Sequence, residues 1–351
     1  MYDYAELNLA REDMKTQGEL YLPTAFWDEA SSRIVTELTT HGVETFRSLP
    51  IALSYFVPTY GTPGGGFSDE QSHGLRTWLR GQVSQASKSQ LALDQFLQGE
   101  MSALADYRVL LAADDPNKLP RVNTFSESAV GDPVEQFEFE GRRFSRSSLN
   151  YLLGLILLKK HVAGDVPRTV LEIGGGFGTL GEVLSCSGIE GLRYIDIDIP
   201  PTSFVAQYYL CEVLGKQNVA TYAQTRDLLS IDVTSLPQAS VLCSWQIERL
   251  EGMVDLFVNF ISFQEMEPHI VKNYLGHVAR LGARWLLLRN IREGKQIRKD
   301  TGSVGVDTPI VSDDYLAMLP GYELVERNVL PFGYRTVDGY HSELLLLRRR
   351  A

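Results

Sequence analysis

The sequence predicts an α/β fold: a doubly wound, mostly parallel sheet ending in an antiparallel hairpin and preceded by a mostly helical region. Three observations carry this. Up to about residue 165 the apolar spacing is helical and β-branched residues are few. From Val166 onward short apolar runs alternate with helical stretches. The last two runs are joined by too few residues for a helical crossover. Alternating strand and helix specifies a parallel sheet covered on both faces, and a short connection forces antiparallel pairing.

In the helical region, Ser68–Ala86 and Ser89–Ala113 read as amphipathic helices. The second carries Leu91, Phe96, Met101, Leu104 and Leu111 on one broad face, which the helical period assigns to the core. Ser147–Val162 is a third helix, with Ser145 as its N-cap and Gly164 as its stop. The run Gly61–Gly66 resembles a phosphate loop. It lacks the Lys-Ser/Thr ending and a buried strand before it, and reads as a flexible loop of a lid.

In the alternating region the parallel strands are expected at Thr169–Ile173, Leu192–Ile199, Ala239–Cys243, Val254–Ile261 and Ala283–Leu288. Helices follow at Thr179–Cys186 and Thr202–Leu214. Tyr322–Leu330 and His341–Arg348 form the hairpin, with Gly333 and Gly339 between them. A length of 351 residues suits two units. We expect 1–165 as a lid or homodimer region and 166–351 as a Rossmann-like catalytic domain.

Composition sets the outer bounds. With 44% hydrophobic and 22% charged residues the chain is ordinary globular material. A formal charge of −11 argues against a nucleic-acid or anionic-membrane partner, which would want a basic face. The cluster Arg348, Arg349 and Arg350 reads as a solvated strand end. No window approaches the roughly 20 apolar residues of a membrane helix, and the acidic first twenty residues do not read as a targeting peptide. Cys186, Cys211 and Cys243 are odd in number, lack metal-type spacing and sit in apolar stretches. Together these features point to a reducing cytoplasm.

The informative segment is Val170-Leu-Glu-Ile-Gly-Gly-Gly-Phe-Gly-Thr-Leu180. A buried strand turns into a helix through glycines, which let backbone pass close to a ligand. The helix start then presents free N–H groups at the strand ends where open parallel sheets bind ligands. Gly176, Gly178 and Gly181 also fit the dinucleotide fingerprint G-x-G-x-x-G. Glu172, two residues before Gly174, gives E-x-G-x-G-x-G instead. A carboxylate there suits the ammonium and sulfonium of S-adenosylmethionine and offers nothing to a pyrophosphate. The preceding helical region and the terminal hairpin also favour S-adenosylmethionine, with S-adenosylhomocysteine as product.

The expected cofactor set is therefore Glu172, Gly174, Gly175, Gly176, Phe177 and Gly178. Asp198, 20 residues past Gly178, is the preferred ribose acid, with Asp196 as the alternative. Ser244 and Trp245 follow the third strand, where an adenine would pack; Trp245 either stacks on it or belongs to the core. Tyr151 lies over the cofactor or in the core.

Several blocks carry a family resemblance. Glu127-Ser-Ala-Val-Gly-Asp-Pro133, Leu149-Asn-Tyr151, the Glu172–Gly178 loop, the run Asp198–Leu210 and Asp255-Leu-Phe-Val-Asn-Phe-Ile-Ser-Phe-Gln-Glu-Met266 resemble the bacterial sugar O-methyltransferase family. The likeness runs from about residue 120 to the end, and Ser-Phe-Gln-Glu-Met is its most specific mark. It implies a class I S-adenosylmethionine-dependent methyltransferase acting on a hydroxyl of a sugar or glycosylated natural product. Asn259, in the last block, joins the cofactor set.

Methyl transfer is an in-line displacement that needs alignment. A neutral sugar hydroxyl is a poor nucleophile and calls for a general base or a metal. The fourth strand's exit lies beside the methyl group in such a fold, so Glu265 and His269 are the candidate bases. Ser262, Gln264, Arg289 and Asn290 are candidate substrate contacts, with His161 and His341 as weaker bases. Glu265, Glu267, Asp313 and Asp314 are the carboxylates a magnesium ion would use, but no spacing demands a metal and none is expected. The alternatives are a polyketide or phenolic acceptor, and a protein that binds the cofactor without methyl transfer as a cyclase or scaffold.

Overall fold

The computed structural model describes residues 2–55, 57, 69–82, 88–162, 164–298 and 305–350. Apolar runs buried on both faces form the middle of its sheet: β1 (Thr169–Ile173), β2 (Arg193–Asp198), β3 (Ala239–Cys243), β4 (Leu256–Phe260) and β5 (Trp285–Ile291). These pair parallel in the order β5-β4-β1-β2-β3. The register sets Glu172 beside Asp196. The terminal strands β6 (Tyr322–Asn328) and β7 (His341–Arg349) are antiparallel to one another, as their short connection requires. β7 also pairs antiparallel with β5 and so lies inside the sheet, between β5 and β6. Leu344–Leu347 are accordingly all buried. The result is a Rossmann-like doubly wound sheet with one reversed strand.

The described helices that matter here are α1 (Ala5–Met14), α2 (Ala25–His41), α3 (Asp69–Gln82), α4 (Lys88–Gln98), α5 (Glu100–Ala113), α6 (Arg146–His161), α7 (Thr179–Ser185), α8 (Thr202–Leu214), α9 (Pro268–Arg280) and α10 (Ser312–Met318). α6 opens on a reciprocal cap: Ser145 Oγ accepts from the Ser148 N–H at 3.2 Å, and Ser148 Oγ accepts from the Ser145 N–H at 2.9 Å. Every residue from Ser147 to Lys159 is buried. One apolar core runs from α2 and α5 through α6 into the sheet, without a break at residue 165.

One expectation is corrected. The helix expected over Ser89–Ala113 is two helices, separated by Gly99 at φ 82°. A period counted across that break does not describe one face. Leu91, Met101 and Leu111 are therefore exposed, at 55%, 55% and 45%, whereas Leu97, Ala103, Tyr107 and Leu110 are buried. The run Gly61–Gly66 lies outside the described residues.

The N-terminal region is tied to the sheet by buried charge. Arg47, fully buried, pairs with Glu127 at 3.2 Å, and its guanidinium lies 4.9 Å from the Phe177 ring centroid. Beside them Glu182 accepts from the Tyr209 hydroxyl and from the Ser128 N–H. Burial, followed by the neighbouring Glu127 charge, pushes Glu182 up to about 7. Among the described residues no helix is long and apolar enough to cross a membrane.

Candidate active site

A cleft with an empty volume of about 1080 Å³, including its open mouth, lies at the carboxyl ends of β1, β2 and β4. Its floor is the glycine loop. Gly174, Gly175, Gly176 and Phe177 all line it, and Gly178 is the N-cap of α7 at φ 91°. Gly174 has φ 71°, and a Cβ there would lie 2.2 Å from Ser262 Oγ. At Gly175 a Cβ would lie 2.5 Å from Asp196 Oδ1 and 2.8 Å from Glu172 Oε2. The loop is thus pressed against its neighbours on both sides.

Three carboxylates lie under and beside this loop. Glu172 and Asp196 are fully buried neighbours. Glu172 accepts from the Tyr194 hydroxyl at 2.6 Å, and the Tyr151 hydroxyl faces it. Asp196 accepts from the Gly175 N–H at 3.2 Å. The second oxygens of both, Glu172 Oε1 and Asp196 Oδ2, are buried without a hydrogen-bond partner. Asp198, at the strand end, lines the cleft and accepts from the N–H groups of Ile199 and Gly176. Burial pushes Glu172 and Asp198 up to about 7 and holds Asp196 well above the usual carboxylate range. None of the three forms an ion pair with a cation among the described residues.

Tyr151 lines the cleft from α6, stacked on Phe260 with centroids 4.9 Å apart. Ser244 lines the opposite end with Ile199, Ile270 and Tyr274. Trp245 does not: it is buried edge-on against Tyr222, so the core reading of that indole holds.

The exit of β4 turns sharply at Ile261, which has φ 74° and ψ −38°. Such a conformation in a β-branched residue costs on the order of 1–3 kcal/mol. The turn brings Ser262 back into the cleft, where its hydroxyl donates to the Ile173 carbonyl at 3.0 Å and accepts from Asn259 at 2.6 Å. Asn259, Gln264 and Asn290 lie behind that wall and brace it. Asn290 Nδ2 donates to Asn259 Oδ1, Asn290 Oδ1 accepts from the Gln264 N–H, and Gln264 Oε1 accepts from the Ile291 N–H. Arg289 is buried too, donating to the carbonyls of Asn150 and Phe332 over the Phe260 ring. None of these four side chains lines the cleft. Each satisfies buried polar groups in the protein.

The two candidate bases separate. Glu265 lines the cleft, but Oε1 accepts from Lys295 Nζ at 2.7 Å and Oε2 from Trp27 Nε1 at 3.1 Å. His269 is exposed at the start of α9 and does not line the cleft. His161 pairs with Glu326 and His341 with Glu293, both away from the cleft. The acids named for a metal stay apart. Glu267 accepts from the N–H groups of Asp307 and Thr308, Asp313 pairs with Arg327, and Asp314 accepts from the Val311 N–H.

Sequence reasoning missed the roof. Leu22, Pro23, Thr24, Trp27 and Tyr55 line the cleft from the N-terminal region, with no local motif to mark them. It also missed Ser147 and Asn150, which line the cleft from α6. These two had a signal: with Tyr151 they sit at i, i+3 and i+4, polar positions on one face of an otherwise apolar helix.

A sheet of this order, with its reversed strand and its cleft over a glycine loop, has the class I methyltransferase fold. Among solved structures the chain is similar to magnesium protoporphyrin IX methyltransferase from Synechocystis PCC 6803, at 16% identity and TM-score 0.38, over 58% of this chain and 81% of that one. It is also similar to the mitomycin 7-O-methyltransferase MmcR, at 14% identity and TM-score 0.37, over 94% of this chain and 74% of that one. The pyocyanin biosynthetic protein PhzM is a third, at 11% identity and TM-score 0.36, over 93% and 69%. No family model matches the chain, and no curated protein does. Likenesses this remote decide nothing about chemistry, which rests on the cleft itself.

Proposed function

We propose that this protein is an S-adenosylmethionine-dependent O-methyltransferase acting on a small molecule. One observation carries the reading: Asp198 lines the cleft, Glu172 and Asp196 are buried directly beneath its glycine floor, and none of the three has a paired cation among the described residues. Uncompensated buried acids favour a ligand that brings positive charge and oppose one that brings phosphates. S-adenosylmethionine brings an ammonium and a sulfonium. In this reading the glycine loop and Glu172 receive the methionine end and Asp198 the ribose, with Ser244 beside the adenine. No metal is assigned a role.

The chain's own contribution is to bind and align. The acceptor hydroxyl approaches the methyl group from the side opposite sulfur, beside Phe260, Ile261 and Ser262 at the end of β4. The sequence resemblance puts forward a sugar or glycoside hydroxyl. The described lining at that end, with Trp27, Tyr151, Phe260, Ile261 and Met266, favours the second reading, a polyketide or phenolic hydroxyl. Calorimetry tests the cofactor: S-adenosylhomocysteine should bind and NAD should give no heat. An empty response to S-adenosylhomocysteine, or binding of NAD, would remove the reading.

A further inference from the structure

We infer that the acceptor is a flat, largely apolar ring compound whose hydroxyl is held by Ser147 and Asn150. This rests on the methyltransferase reading and deepens it. Most hydrogen-bonding groups at the β4 end of the cleft are already engaged within the protein. Thr24 Oγ1 donates to the Glu265 carbonyl, and both Glu265 carboxylate oxygens are taken by Lys295 and Trp27. The Tyr151 hydroxyl faces Glu172, and the Ser262 hydroxyl serves Ile173 and Asn259. Ser147 and Asn150 differ. Both line the cleft, only 7% and 5% exposed, and neither side chain has a hydrogen-bond partner among the described residues.

Two such side chains among the described residues suit a ligand with one hydroxyl. A free pyranose would bury several more hydroxyls against Trp27, Phe260, Ile261 and Met266, each without a partner, and unpaired buried polar groups are costly. A ring with aromatic faces would instead gain contact with the indole and the stacked Tyr151–Phe260 pair.

The chemistry agrees. In the transfer the hydroxyl oxygen forms the new O–CH₃ bond, the methyl–sulfur bond breaks with its electron pair going to sulfur, and the hydroxyl proton leaves to solvent. The products are the methyl ether and S-adenosylhomocysteine. An aliphatic hydroxyl needs a strong base, and no uncommitted carboxylate or imidazole lines this end among the described residues. A phenol ionises near pH 10, as tyrosine does. Donation from the Asn150 amide and the Ser147 hydroxyl would stabilise the phenolate and bring that value down.

The test uses the full-length protein saturated with S-adenosylhomocysteine, with 2-naphthol and methyl α-glucopyranoside as probes followed by saturation-transfer NMR. 2-Naphthol should bind at least about tenfold more tightly than the glucoside. The double variant S147A/N150A should weaken 2-naphthol about tenfold while S-adenosylhomocysteine stays within about twofold. Asn150→Gln provides a second, milder displacement of the same amide should the double variant fold poorly. Preference for the glucoside, binding of neither probe, or loss of S-adenosylhomocysteine affinity in a folded variant would overturn the inference. Failure of the unmodified protein to bind S-adenosylhomocysteine would instead remove the methyltransferase reading beneath it.

Discussion

The backbone N–H of Gly175 donates to Oδ1 of Asp196 at 3.2 Å, so the glycine loop rests directly on a buried acid of the neighbouring strand. There is no room between them for a side chain. Gly175→Ala would place its Cβ 2.5 Å from that oxygen and 2.8 Å from Glu172 Oε2. We expect S-adenosylhomocysteine affinity to fall at least about tenfold by calorimetry, about 1.4 kcal/mol. Gly276→Ala is the control. It meets nothing within 4 Å on α9, so it should leave binding intact and gain up to ~1 kcal/mol of helix stability.

Asp196 and Asp198 should separate by amide substitution. Burial, first of all, and the neighbouring charge of Asp198 hold Asp196 well above the usual carboxylate range. Asp196→Asn can keep the bond from Gly175, so affinity should change little. Asp198→Asn loses one acceptor at the cleft wall and should cost about 1–3 kcal/mol of S-adenosylhomocysteine binding. The reverse order would make Asp196 the ribose acid.

Cofactor affinity should depend on pH. Glu172 and Asp198 are raised from 4.5 and 3.8 to about 7, chiefly by burial, and the groups facing them are Asp196, the Tyr151 and Tyr194 hydroxyls and the N–H groups of Gly176 and Ile199. A bound cation favours their ionised forms, so binding releases protons. Affinity for S-adenosylmethionine should rise from pH 5 to about pH 8, and more steeply than for S-adenosylhomocysteine, which lacks the sulfonium. For the unliganded protein the sign is opposite. Between the unfolded and folded values the native state holds the extra protons, so the contribution of these acids to stability falls as pH rises through that window. Calorimetry in buffers of different ionisation heat measures the first effect, and urea unfolding from pH 4 to pH 8 the second.

Glu265→Gln distinguishes a latch from a base. Glu265 joins Trp27 of α2 to Lys295 beyond β5, so both of its oxygens are engaged within the protein. We expect the variant to keep more than a tenth of kcat, whereas loss of a true general base costs about 10²–10⁴-fold. His269→Ala should keep kcat within about twofold for the same reason, since it removes no group from the cleft.

Arg47→Met should destabilise the whole chain. It strands Glu127, fully buried, without its cation, and breaking such a pair costs about 3–5 kcal/mol. Urea unfolding measures it; a loss below 1 kcal/mol would show that the pair does not hold the N-terminal region to the sheet.

Much of the fold is legible in the residues. The glycine loop, the strand before it and the helix after it occupy the consecutive positions 169–185, and their signals are local: a buried run, turn residues, a helix start. Asp198 is legible because strand length and the Pro200-Pro201 turn locate the end of β2. The substrate side is not. Gln264, Arg289 and Asn290 look like cleft residues in the sequence, and the fold turns them inward to satisfy carbonyls and N–H groups of neighbouring strands.

By itself, then, the sequence determined the alternation of strands and helices, the reversed end of the sheet and the position of the glycine loop, because periodicity and turn chemistry act over a few residues. The tertiary structure alone decided which polar side chains face the cleft unpaired. Partners such as Trp27 and Glu265, or Arg289 and Phe332, lie far apart along the chain and meet only when the core closes. Whether a buried group is free for a ligand depends on those meetings, and no local pattern records them.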